Sequence, residues 1–227
     1  MHTFLSVLFT LALITQDVRS DDDLKPIVED LTETEVAALV KGEQVVHTEE
    51  MPDSAWPRGW VYQYAPDATP EELTAVFTDY PDAINYLPRM LRAEVVKELS
   101  PTRKWVAYEI NLPWPLKNSK YTTDDVLSYV ADLEEYRVDW TQVTSNSTSR
   151  TTGYMRASAM PDHPGTLFVM HNDVVPTSSM AGIAGNQAAK EQMAVVEETI
   201  KRVAYFKDKD PKHLDEQVLR LRDELGQ

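Results

Sequence analysis

The sequence predicts an α+β fold in which a run of consecutive antiparallel strands is followed by one long helix. Three observations predict it. Residues 91–175 pass through at least four stretches of two-residue apolar period, joined by short turns with no helical stretch between them, which implies an antiparallel meander. Capped helical segments precede that meander. Residues 182–206 then switch to alternating four- and three-residue apolar steps, one stripe of a long helix.

Taken in order, residues 1–20 read as a secretory signal peptide. Residues 4–14 are almost wholly apolar, long enough for the h-region of a signal and too short to cross a hydrocarbon core about 30 Å thick. Val18 and Ser20 place small residues at the minus-three and minus-one positions of a cleavage site, and three aspartates follow. Cleavage is expected after Ser20, which makes the protein secreted or periplasmic. Residues 21–42 form an acidic lead and a helix: Thr32 and Glu35 stand at capping-box spacing, Leu31 and Val36 at staple spacing, and Gly42 suits the left-handed C-terminal turn.

Residues 59–65 alternate, with Trp60, Tyr62 and Tyr64 on one face. Thr69-Pro70-Glu71-Glu72 opens the next helix with a cap, a proline at the first position and acids in the first turn. A short helical piece lies between Pro81 and Pro88. Strands then follow: Leu91, Ala93, Val95 and Leu99 share a face, as do Val106, Tyr108, Ile110 and Leu112. Residues 121–130 read as a further strand. Tyr136, Val138 and Trp140 alternate with charged residues, Tyr154 and Met155 lie on the next strand, and a turn at 161–165 leads into the last. The long helix starts with small residues, Ala181 to Ala189, and continues through Met193, Val196, Ile200 and Val203. Asp210-Pro211 caps a final helix carrying Leu214, Val218, Leu221 and Leu225.

Composition excludes several classes. A formal net charge of −15 with no Lys/Arg-rich run repels phosphate backbones, so nucleic acid is rejected as a partner. There is no cysteine, hence no disulfide, thiolate nucleophile or Cys-ligated metal; for an exported chain this favours a bacterial envelope protein that folds by its core alone. With 42% hydrophobic residues, five Trp and ten Tyr, the core of one domain is well supplied. No glycine-rich phosphate loop, zincin helix or nucleophile elbow appears, and nothing in the pattern requires a cofactor or a metal.

Phe77-Thr78-Asp79-Tyr80-Pro81 followed by Tyr86-Leu87-Pro88, the proline-rich turn Leu112-Pro113-Trp114-Pro115-Leu116 followed by Tyr121, and Val174-Val175-Pro176 leading into a long helix together resemble the START-like superfamily. This is the SRPBCC group that includes polyketide cyclase and coenzyme Q-binding-like proteins. The resemblance covers residues 43–206 and departs at Ser119 and Lys120, where many relatives carry an Arg-Asp pair. It implies a helix-grip fold, a curved antiparallel sheet wrapped around a long C-terminal helix, with an apolar cavity between them used for lipids, quinones or polyketides. Residues 207–227 form a helical tail outside it.

On that reading the expected partner is a hydrophobic small molecule, and transient membrane contact is left open. The small residues at the start of the long helix leave room beside the sheet. Tyr108, Tyr136, Trp140, Met155, Phe168 and Met170 are expected to line it, together with Ala188 and Ala189, while Arg156 is a candidate anchor for a polar group. No catalytic set is assigned. The alternative is a cyclase- or hydrolase-type enzyme using the same cavity, whose acid or base would be His171, Asp173 or a pocket tyrosine.

Overall fold

Local chemistry starts each helix. The computed structural model describes residues 25–112, 114, 117–177 and 181–227, with the backbone alone over 181–188; the expected signal peptide lies outside the described residues. Helix α1 (Glu33–Val40) is opened by Thr32, whose side chain accepts from the Glu35 backbone N–H while the Glu35 carboxylate accepts from the Thr32 N–H at 2.8 Å. Helix α2 (Pro70–Thr78) repeats this capping box with Thr69 and Glu72. Both boxes satisfy amide donors that a helix N-terminus otherwise leaves orphaned.

Strands β1 (Val45–Glu49) and β2 (Arg58–Ala65) precede α2. A 3-10 segment, Tyr80–Asn85, leads into β3 (Met90–Ser100), β4 (Arg103–Ile110), β5 (Ser119–Val130), β6 (Glu135–Ser145), β7 (Thr148–Ala159) and β8 (Thr166–Pro176). All pair antiparallel in the order β1-β2-β8-β7-β6-β5-β4-β3. The meander from β3 to β8 thus returns to the strand that preceded α2. Helix α3 (Ala181–Lys209) then lies on one face of this sheet, and α4 (Pro211–Leu225) turns back against α2.

The inner face carries Val61, Val138, Trp140, Met155, Phe168 and Met170, packed with Val196, Val203 and Phe206 of α3 and with Leu214 and Leu221 of α4. Each fully buried aliphatic or aromatic side chain here contributes roughly 1.5–3 kcal/mol. The outer face of β2 and β8 is covered by the N-terminal segment: Ile27 and Leu39 pack on Tyr62, Tyr64, Leu167 and Val169. The alternation of Tyr62 and Tyr64 therefore faces α1, away from α3.

One expectation needs correction. The apolar face of β3 is buried only at Ala93, while Leu91, Val95 and Leu99 are exposed. β3 is an edge strand with register shifts at three places, so its parity breaks and little covers it.

Candidate functional site

α3 does not lie flat on the sheet. Near its middle it is tied to β2 and β8: the Gln192 side-chain amide donates to the Gly59 carbonyl at 3.1 Å and to the Met170 carbonyl at 2.8 Å. Close approach is possible because Gly59 has no side chain; a Cβ there would lie 3.2 Å from Gln192 Oε1. On the other side α3 is clamped to the segment around the 3-10 turn. Arg89 meets Glu191 at 3.0 Å, and Arg202 meets Asp82 at 2.6 Å while covering the ring of Phe206.

Held off the sheet between these ties, α3 roofs a cavity of about 450 Å³. Phe77, Tyr86 and Leu87 close it from the helical side, and Tyr108, Tyr121 and Trp140 form much of the sheet wall. Met170 and Val174 continue that wall on β8, with Ala189 and Val195 above them on α3. Tyr108 and Tyr121 stack at 5.1 Å between centroids, and Phe77 stacks on Trp140 at 6.1 Å. Polar residues, among them Asn118, Ser119, Asn146 and Ser147, lie along one stretch of the lining.

The expected lining residues divide by position. Tyr108, Trp140, Met170 and Ala189 border the cavity. Met155 and Phe168 face the same side but are packed out of it, fully buried in the core. Tyr136 is likewise outside the lining, its hydroxyl donating to Glu71 Oε1 at 2.6 Å. The reason is coverage: α2 and α4 close that end of the sheet. The side chain of Ala188 lies outside the described residues.

Arg156 points the other way. It is buried under the N-terminal segment on the outer side, donating to Glu135 Oε1 at 2.6 Å and to the Lys25 carbonyl at 2.6 Å. It is therefore a structural cation and not a cavity anchor. Burial raises the Glu135 carboxyl above its usual range, and Arg156 opposes that shift.

Of the acid-base candidates, pocket tyrosines such as Tyr108 border the cavity, whereas His171 and Asp173 lie outside it. His171 is on the outer face, stacked on Trp60 at 4.5 Å with Nδ1 3.0 Å from the Gly59 carbonyl. Asp173 pairs with Arg150 at 3.0 Å. Neither borders the cavity. Among the described residues no group of three or more His, Asp or Glu side chains is placed to hold a metal ion, and no helix is long and apolar enough to cross a membrane.

Instead, the cavity contains a carboxylate that the sequence reading passed over. Asp125 on β5 is 4% exposed. Tyr108 donates its hydroxyl to Asp125 Oδ2 at 3.3 Å. Burial pushes the Asp125 carboxyl up to about 6, against the pull of the Thr123, Tyr80 and Tyr108 hydroxyls. The Thr123 hydroxyl is near enough to favour the charged form but outside hydrogen-bond geometry, so Asp125 Oδ1 and Thr123 Oγ1 are both buried without a partner. A strand-parity signal for this residue was available. Asp125 is in phase with Tyr121, Leu127 and Tyr129.

No family model matches the sequence, and no curated protein matches it. Solved structures do. The chain is similar to human STARD10 with a TM-score of 0.63 at 16% identity, over 91% of this chain and 89% of that one. It is similar to a STAR-related lipid transfer protein from Xanthomonas axonopodis with a TM-score of 0.62 at 14% identity, over 71% and 93%. The Zhui aromatase/cyclase of a Streptomyces species gives 0.52 at 14%, over 72% and 94%. At such identities the likeness shows architecture, and with the sheet and α3 arranged as described, the chain has a START-like helix-grip fold, as these structures do.

Proposed function

We propose that the protein is an exported binding protein that holds a hydrophobic small molecule, of lipid, quinone or polyketide-like kind, in the cavity beneath α3. The observation that carries this reading is the cavity itself, about 450 Å³ with mostly aromatic and aliphatic walls. That size falls within the range of small-molecule sites, roughly 300–1,000 Å³. An apolar void in a close-packed interior forfeits contacts until something apolar fills it. The names of the similar structures, lipid transfer protein and aromatase/cyclase, agree with an apolar occupant.

Native mass spectrometry of protein purified from its host, followed by extraction into organic solvent, tests the reading. A mass increment that extraction removes is expected, with a hydrophobic compound recovered in the organic phase. Empty protein that binds nothing across a panel of lipids and quinones overturns it. Export rests on residues 1–20. N-terminal sequencing of protein from the envelope or medium is expected to begin at Asp21, and an intact Met1 terminus would refute cleavage.

Loading such a cavity calls for transient contact with a membrane. Trp114, 92% exposed in the turn between β4 and β5, is the side chain best suited to it, since indole rings favour the lipid–water interface. Replacing Trp114 with Ala is expected to weaken co-sedimentation with lipid vesicles; unchanged binding removes this residue from the reading.

A second reading, a cyclase- or hydrolase-type reaction in the same cavity, is favoured by one observation. Asp125, titrating at about 6 within an apolar lining, can exchange a proton near neutral pH. On this reading the compound recovered after incubation differs from the compound supplied, and Asp125→Asn abolishes the difference.

A further inference from the structure

The orphaned atoms in the cavity specify a chemical group. Asp125 Oδ1 is an acceptor, and Thr123 Oγ1 is both donor and acceptor; each is buried and has no partner. Their residues are 4% and 2% exposed, and both border the cavity. A buried polar atom without a protein partner loses the hydrogen bond it made in water, so these two atoms are poised for a group that supplies one.

The neighbouring charges narrow the choice. Lys104 sits across the β4–β5 ladder from Asp125, but its ammonium is held by Glu224 Oε1 at 2.5 Å. Asp124, adjacent in the chain, pairs with Arg103 on the opposite face. Tyr80 and Tyr108 are neutral phenols whose ionisation is strongly suppressed, first by burial and then by Asp125. A ligand carboxylate or phosphate at this depth would meet Asp125 with no free cation among these neighbours to offset the repulsion; Lys117, which also borders the cavity, is exposed and precedes β5, eight residues from Asp125. An ammonium offers donors only, cannot accept from the Thr123 hydroxyl, and carries a second charge's desolvation cost into the cavity. A hydroxyl matches both orphans, donating to Asp125 and accepting from Thr123.

We propose that Asp125 and Thr123 bind the hydroxyl group of an otherwise apolar ligand, so that the cavity selects lipid alcohols over hydrocarbons, ethers and acids. This deepens the binding reading above and rests on it. The hydroxyl sits at the β5 wall against the Tyr108 and Tyr121 rings, and the apolar body fills the space toward Met170 and Val195.

The test uses uptake of the fluorescent apolar reporter N-phenyl-1-naphthylamine by the full chain, displaced by decan-1-ol, decyl methyl ether, decanoate or decylammonium. The expected result is that decan-1-ol displaces the reporter at about tenfold lower concentration than the ether, the size of one hydrogen bond to a charged acceptor, and that decanoate is weaker than either. Asp125→Asn and the near-isosteric Thr123→Val should each shrink the ratio of alcohol to ether displacement to about threefold or less. Equal displacement by alcohol and ether overturns the proposal but leaves the cavity reading standing, because the reporter still binds. No reporter uptake at all sinks both. Tighter displacement by decylammonium assigns the site to cations instead, and an alcohol preference untouched by both variants places the hydroxyl elsewhere.

Discussion

Gly153 faces the indole of Trp140 across the β6–β7 ladder, and a Cβ on Gly153 would lie 2.7 Å from two carbons of that ring and 2.2 Å from the His171 carbonyl oxygen on β8. The missing side chain is thus what seats Trp140 in the sheet wall, where Phe77 stacks on it at the edge of the cavity. Gly153→Ala is expected to strain the β7–β8 pairing at His171 as well as push the indole toward the cavity, costing at least the roughly 1–3 kcal/mol of an overpacking change and reducing uptake of an apolar ligand. Urea unfolding and reporter binding on the same variant check both effects; a variant as stable as the parent with unchanged uptake shows that the ring and the neighbouring strand both have room to move.

Asp125 makes stability depend on pH in a sense opposite to most carboxylates. Its folded-state value of about 6 lies above the ordinary 3.8, so between those values the folded chain binds the extra proton. This contribution is fully present below about pH 4 and is lost as pH rises through 6, a change of about 3 kcal/mol. Asp125→Asn lacks that loss. The stability difference between variant and parent should therefore swing in the variant's favour from pH 4 to pH 6.5 and then level off. A difference constant across that range shows that Asp125 titrates as an ordinary carboxylate.

The buried pair on the outer side should behave as structure only. Arg156 and Glu135 are 2% and 1% exposed. Removing one partner strands the other, and Arg156→Leu is expected to cost about 3–5 kcal/mol. Reporter affinity of the fraction that remains folded should equal that of the parent. A loss of affinity without a loss of stability would return Arg156 to the list of ligand contacts.

The two ends of α3 should respond differently to substitution. Ala189 borders the cavity and is exposed, so Ala189→Leu is expected to weaken reporter uptake with a stability change within about 0.5 kcal/mol. Val203 is 1% exposed in the core, so Val203→Ala should cost about 2 kcal/mol and leave ligand preference intact. Thermal unfolding and displacement assays on the pair decide; unfolding by Ala189→Leu would show that this part of the roof is tightly packed.

His171 illustrates where the functional reading outran the residues. A His two positions before an Asp on one strand places both on the same face, as parity requires, but parity alone does not say which face is inner. His171 and Asp173 share the outer face, against Trp60 and Arg150 respectively. The same ambiguity misplaced Arg156, whose strand alternates weakly. Asp125 was hidden for a related reason: with Thr122, Thr123 and Asp124 before it, both faces of β5 look polar at that point.

By itself the sequence determined the elements and their succession, because caps, proline positions and apolar periods act over a few residues: Thr32 with Glu35, Thr69 with Glu72 and the alternation from Val106 to Ile110 all specify structure without distant help. Tertiary structure alone decided which part of the inner face borders the cavity. Tyr136 and Phe168 look like Tyr108 and Met170 in the sequence, yet the first two are covered by α2 and α4 and the last two border the cavity. That distinction depends on where helices from both ends of the chain come to rest on one sheet. The ion pairs Arg89–Glu191 and Arg202–Asp82, each closing more than a hundred residues of chain, hold α3 there, and no local pattern encodes a contact of that range.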